Sequence, residues 1–124
     1  MKSHFYFEKE DNHIRMVVSG EYDFEDFKTY IKIIHAKCET EGIFKILMDI
    51  LAVKGIDVST LERYFLGVEV AERLSSRIKL AVVWHQEYTN YITQIVAVNR
   101  GGNISVFTNT DAALNWLSND TKEE

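Results

Sequence analysis

The chain has 124 residues, 46% hydrophobic and 27% charged, with 14 basic against 19 acidic side chains and a formal net charge of −5. One globular domain of this size hides roughly two-thirds of its unfolded surface, so neither a disulfide nor a structural metal is required, and the lone Cys38 has no partner for a bridge. An acidic balance without a basic run argues against nucleic acid, the apolar stretch from Ile43 to Val53 is too short and too interrupted by Lys45 and Asp49 to span a bilayer, and MKSHFYFEKEDN lacks a signal region, so a cytoplasmic protein is expected.

The segments His4 to Lys9 and His13 to Val18 alternate, placing Phe5 and Phe7 on one face and Ile14, Met16 and Val18 on one face, as half-buried strands require; EDN between them reads as a hairpin turn. Asp23 is placed to cap a helix whose Phe24, Phe27, Ile31, Ile34 and Cys38 recur at three- and four-residue steps until Gly42 ends it. FKILMDI is short and almost continuously apolar, a strand covered on both faces, and LAVKGIDV is expected to be the loop that follows. Ser59 and Glu62 have capping-box spacing, which predicts a second helix from about Thr60 to Ser75.

This second helix carries two apolar stripes. At about 100° per residue, Leu61, Tyr64, Phe65, Val68 and Ala71 form one face, fit for the sheet, and Leu66, Val70 and Leu74 form another, with Glu62, Glu69 and Arg73 in a narrow polar sector. The second stripe needs cover, from this chain or from another, and Gly67 permits a close helix approach. IKLAVVW is a further buried strand, Thr89 is expected to open a helix with Ile92, Ile95, Val96 and Val98 that Gly101 and Gly102 end, and ISVFT is the last strand. Thr110 is expected to cap a closing helix with Ala113, Leu114 and Leu117 along one side and Trp116 at its flank. The order ββαβαβαβα predicts an α/β domain over 1–119, with a mostly parallel five-stranded sheet, an N-terminal antiparallel hairpin, about four helices and a frayed tail at 120–124.

Residues capable of chemistry are sparse. His35 and Cys38 lack a third metal ligand, His85 and Glu87 lack a nucleophile, and NRGGN around Arg100 lacks the lysine and hydroxyl of a phosphate loop. Asp49 and Asp57 suit the capture of backbone donors better than paired acid–base work, and Trp84, Tyr88 and Tyr91 suit packing at a rim. No catalytic residue, metal or cofactor is assigned. Because strand ends and helix starts converge in a parallel sheet, Asp49, Lys54, Thr60, His85 and Thr89 form the candidate pocket for an anion or small ligand.

The stretch ILMDILAVKGIDVSTL, with Asp49 ending a buried strand and Asp57 preceding a helix start, resembles the STAS domain family in its SpoIIAA-like branch, often grouped with the CRAL-TRIO fold; IKLAVVW and ISVFTNTDAALNWL are similar to that family's central strand and closing strand and helix. The resemblance implies a non-enzymatic regulatory module that recognises a protein partner, a second copy of itself, or both, through the second helix and the loop before it. The contact residues it implies are Asp57, Val58, Ser59, Glu62, Leu66, Val70 and Leu74. In regulated relatives a phosphorylated serine directly follows the second Asp, where this chain has Val58, which has no hydroxyl. Ser59 falls on the second serine of the pattern and Thr60 replaces a small residue, and Ser59 reads first as a helix cap worth about 1 kcal/mol. The alternative that the CRAL-TRIO relationship implies is a carrier or sensor holding a small apolar or anionic molecule between sheet and helices.

Overall fold

In the structure, a computed structural model that describes residues 1–55 and 58–119, the N-terminal alternation forms β1 (Ser3–Lys9) and β2 (Ile14–Glu21), paired antiparallel with Phe7 opposite Met16. The start of β1 is tied to the first helix, α1 (Phe24–Glu41). Buried Asp26 accepts hydrogen bonds from the Lys2 and Ser3 amides, both at 3.0 Å, and from Ser3 Oγ at 2.8 Å. Asp23 caps α1 by accepting from the Asp26 amide, and Gly42 ends it in the left-handed region at φ +68°, where a side chain would be strained.

β3 (Lys45–Lys54) is longer than its sequence suggests. LAVK, expected as loop, continues the strand, because β2 extends past a register shift between Val17 and Ser19 and pairs Ser19, Gly20 and Glu21 with Ala52, Val53 and Lys54. The following strand, β4 (Lys79–Val83), stops opposite Asp49, so this extension is paired on one side only and lacks the continuous apolar run of a doubly flanked strand. Asp49 is therefore mid-strand and not at a strand end.

With β5 (Ile104–Phe107), the sheet runs in the order β1-β2-β3-β4-β5, parallel from β2 onward. Right-handed crossovers between strands that advance steadily in one direction must all lie on one face. Accordingly α1, α2 (Thr60–Leu74) and α3 (Ile92–Asn99) share a layer over Met16, Ile46, Met48, Leu80 and Ile104. α4 (Thr110–Ser118) follows the last strand and packs on the opposite face, where Ala113 and Leu117 meet Leu47, Ala81 and Val83.

Two helix starts differ from expectation. Thr89 does not open α3: a single 3-10 turn at Gln86–Tyr88 comes first, Thr89 Oγ1 donates to the His85 carbonyl (2.7 Å), and Asn90 Oδ1 accepts from the first helical amide, Ile92. At α4 the cap is Asn109, whose Oδ1 accepts from the Ala112 amide at 2.8 Å, with Thr110 inside the helix. At α4 an asparagine carbonyl takes the capping role assigned to a nearby threonine, whereas at α3 the N-cap position is Tyr91 and no side chain caps it. The tail expected at 120–124 lies outside the described residues.

Candidate functional site

The start of α2 is assembled from three parts of the chain. Ser59 Oγ accepts from the Glu62 amide (3.1 Å) as the capping spacing predicts, while Glu62 Oε1 accepts from the Tyr22 hydroxyl (3.0 Å). Burial, reinforced by that bond to Glu62, pushes the Tyr22 hydroxyl far above the usual tyrosine range. Tyr22 also donates its amide to the Lys54 carbonyl at 2.6 Å, so the β2–α1 turn joins the end of β3 to the first turn of α2. Val58 is half-buried against the core, and Asp57 lies outside the described residues.

α2 is rotated relative to the sequence expectation. Val70 and Leu74 are 3% and 1% exposed and Leu66 packs against the core, whereas Leu61 is 63% exposed, Phe65 45% and Tyr64 36%. Leu66, Val70 and Leu74, expected as the docking stripe, are thus on the core-facing side, and of the stripe assigned to the sheet Leu61, Tyr64 and Phe65 face outward while Ala71 is buried. Two small residues set this rotation. Gly67 and Ala71, four apart and both buried, face inward beside Val70 and Leu74. A Cβ at Gly67 would lie 2.7 Å from the Thr93 carbonyl oxygen and 2.9 Å from Val96 Cβ, so α3 packs against α2 there at backbone distance. Gly67 is the sequence signal that separates Leu66, Val70 and Leu74 from Leu61, Tyr64 and Phe65.

The α2–α3 contact is closed by Thr93 Oγ1, which donates to the Arg63 carbonyl (2.8 Å), and by Arg100, which donates to the Tyr64 hydroxyl (2.8 Å) and stands over its ring. Tyr64 and Phe65 pack edge to face at 5.5 Å. On α3 and just before it, Ile95, Val98 and Tyr91 are about half exposed. Among the described residues eight large hydrophobic side chains are exposed, and all but Met1 and Tyr6 lie on α2, on α3 or at Tyr91. Concentrated exposure of that kind marks an interaction surface more than scattered apolar residues do.

The pocket expected from Asp49, Lys54, Thr60, His85 and Thr89 does not assemble. Asp49 shares the sheet face of Leu47, away from α2; its Oδ2 accepts from Arg15 Nη2 at 2.6 Å and its Oδ1 from the Leu51 amide. That bond raises the Arg15 pKa. His85 donates from Nε2 to the Leu51 carbonyl (2.8 Å) and meets Thr89 through its own carbonyl, while Lys54 and Thr60 are exposed. A strand order without a reversal lacks the switch-point crevice where such ligands gather. Cys38 is buried, with its thiol pushed up to about 11 by burial and by Glu39, and among the described residues no cluster of three or more metal-ligating side chains occurs.

No pattern in the sequence singles out Arg63 or assigns Trp84 more than packing. Arg63 is 9% exposed and, among the described residues, donates to carbonyls, from Nε to Val58 (3.1 Å) and from Nη2 to Tyr88 (2.8 Å); its guanidinium lies 5.5 Å from the Trp84 ring centre, and burial lowers its pKa. Trp84 is 8% exposed and its Nε1–H has no acceptor among the described residues.

A family model described as SpoIIAA-like matches residues 13–118. Among solved structures, an anti-sigma factor antagonist from Mycobacterium paratuberculosis is similar with a TM-score of 0.65 at 18% identity, covering 94% of this chain and 95% of that one. An uncharacterized protein of the DUF3478 family with a SpoIIAA-like fold, from Shewanella loihica, is similar with a TM-score of 0.55 at 16% identity, covering 93% of each chain. At these identities the likeness is one of fold. Among curated proteins nothing matches.

Proposed function

The chain belongs to the SpoIIAA-like family, and from that premise we propose that it is a non-enzymatic regulatory module, a single domain over 1–119, that recognises another protein through the outer surface of α2 and α3. The carrying observation is the gathering of Leu61, Tyr64, Phe65, Tyr91, Ile95 and Val98 as exposed apolar side chains on two packed helices. Fully burying a side chain of this size contributes about 1.5–3 kcal/mol, so even the exposed fractions of Leu61 and Phe65 supply a useful part of a docking energy. Val58, Ser59 and Glu62 form the rim on the loop side, and Asp57, expected with them, lies outside the described residues. An anti-sigma factor antagonist of the same fold supports a protein as the partner class.

The phosphoserine switch of regulated relatives does not operate at Val58, and Ser59 Oγ is already engaged as the helix cap. Binding is therefore constitutive with respect to that position. The proposed compartment is the cytoplasm; separately, no helix among the described residues is long and apolar enough to cross a membrane. The test is affinity purification from the source cells with quantitative mass spectrometry, comparing the unmodified protein, the double variant Leu61→Asp/Phe65→Asp and Tyr6→Asp, each checked for folding by circular dichroism. Proteins retained by the unmodified chain and by Tyr6→Asp are expected to disappear with the double variant. An unchanged set on the double variant refutes this surface.

A further inference from the structure

The two edges of the sheet are finished differently. At β5, four residues long, Gln94 Oε1 reaches across from α3 and accepts from the Val106 amide (2.9 Å), occupying the free edge as a neighbouring strand would. β1 is seven residues long, without proline and without a break in its register with β2. The Glu21 amide donates to the Lys2 carbonyl and the Glu10 amide to the His13 carbonyl. By the alternation of an antiparallel pair, His4, Tyr6 and Glu8 therefore turn their backbone groups to β2, while Ser3, Phe5, Phe7 and Lys9 turn theirs outward. Asp26 caps the Lys2 and Ser3 amides and none beyond them, which leaves the outward groups of Phe5 and Phe7 without a partner among the described residues. A regular edge of this length is a template for another strand.

We propose that this edge takes β1 of a second copy of the chain, paired antiparallel about a two-fold axis at Tyr6, so that two sheets become one. The strand is complementary to itself in this register. Phe5 stands opposite Phe7 of the second copy, and the two exchange both N–H···O=C bonds, an exchange that the axis repeats. Their rings, half-buried on the α1 face, extend the aromatic contacts that Phe5 already makes with Phe7 and Tyr30. On the other face His4, Tyr6 and Glu8 are exposed; there Tyr6 meets its own copy, and the His4 imidazole lies opposite the Glu8 carboxylate of the second copy. A shift by two residues in either direction sets a phenylalanine against Ser3 or Lys9, and Asp26 stops the ladder at each end by holding the Ser3 amide. The pairing does not depend on the docking surface, because α3 packs on β5 at the far end of the sheet.

Sedimentation equilibrium of the full chain from micromolar to millimolar concentration tests it, and a reversible equilibrium between monomer and dimer is expected. Two exposed positions are given the same charge, with opposite results. His4→Lys sets an ammonium opposite Glu8 of the second copy at both ends of the pairing and is expected to tighten the dimer about threefold. Tyr6→Lys sets two ammonium groups face to face at the axis and is expected to weaken it about fivefold or more. Amide hydrogen exchange followed by NMR is expected to slow at Phe5 and Phe7 in proportion to the dimer formed. Leu61→Asp/Phe65→Asp is expected to leave the dimer intact, so that failure of the docking surface and failure of this pairing are separate results. The proposal is overturned by a chain that stays monomeric, by lysine variants that do not move the equilibrium in opposite directions, by Phe5 and Phe7 amides whose exchange is independent of concentration, or by loss of the dimer in Leu61→Asp/Phe65→Asp.

Discussion

Gly67→Ala tests whether α2 and α3 meet at backbone distance. In an isolated helix this change is favourable by about 1 kcal/mol, because glycine loses more backbone freedom than alanine. Here the new Cβ would lie 2.7 Å from the Thr93 carbonyl oxygen, and ordinary contact begins near 3.4 Å, so α3 must withdraw by roughly 0.7 Å. The obstacle is backbone, which cannot swing aside as the end of a long side chain can. Overpacking of this kind costs about 1–3 kcal/mol, and subtracting the helix gain leaves a net loss of about 1 kcal/mol. For a domain of this length that is a fall in Tm of about 3–5 °C, measurable by calorimetry and by the midpoint of urea unfolding. Withdrawal of α3 also stretches the bonds from Thr93 to the Arg63 carbonyl and from Arg100 to Tyr64. A Tm equal to or above that of the unmodified protein would show that helix propensity prevails and refute the close packing.

Leu74→Ala, at a 1% exposed position, is expected to cost about 2–5 kcal/mol in urea unfolding, and Phe65→Ala, on the outward stripe, less than about 1 kcal/mol; the reverse order would restore the stripe assignment expected from sequence. Ser59→Ala removes the α2 cap and is expected to cost about 1 kcal/mol by the same measurement, whereas no loss would mean that the Glu62 amide is satisfied without Ser59 Oγ. At Asp26, burial opposes ionisation, but the hydrogen bonds from Ser3 and Lys2 outweigh it and hold the carboxyl below its usual 3.8. A carboxyl depressed on folding contributes stability that is complete above its unfolded pKa and is lost as pH falls through the folded value. Asp26→Asn is therefore expected to flatten the decline of stability in acid below about pH 4, and an acid limb unchanged in steepness would refute that role.

Features encoded by neighbouring residues were readable from sequence. Asp23 and Gly42 bracket α1, Ser59 starts α2, and the two short apolar runs around Met48 and Ala81 are buried strands, because caps, stops and strand periodicity act within a few residues. Features set by partners distant in sequence were not. LAVK is a strand because β2 continues past its bulge, and Asp49 lies mid-strand because β3 runs on beyond it, on the face it shares with Leu47 by strand alternation. The rotation of α2 depends on α3 thirty residues later. Hydropathy weighs Leu61, Tyr64 and Phe65 as heavily as Leu66, Val70 and Leu74, and the signal that separates them is Gly67, where α3 approaches at backbone distance.

The first turns of α2 invert the usual arrangement of a surface helix. Leu61, Tyr64 and Phe65 face outward while Arg63, between them in sequence, faces the apolar interior. Farther along, Val70, Ala71 and Leu74 face inward and Glu72 and Arg73 outward, as stability alone favours. One helix thus follows the folding rule at its C-terminal end and breaks it in both directions at the other, with apolar side chains left in water and a cation taken out of it. Neither departure helps the fold: the outward side chains contribute little burial, and the buried guanidinium carries a desolvation cost that its two carbonyl contacts offset only in part. Local violations of this kind concentrate where function sets the residue. That is the physical reason for placing protein recognition on the outer side of this segment.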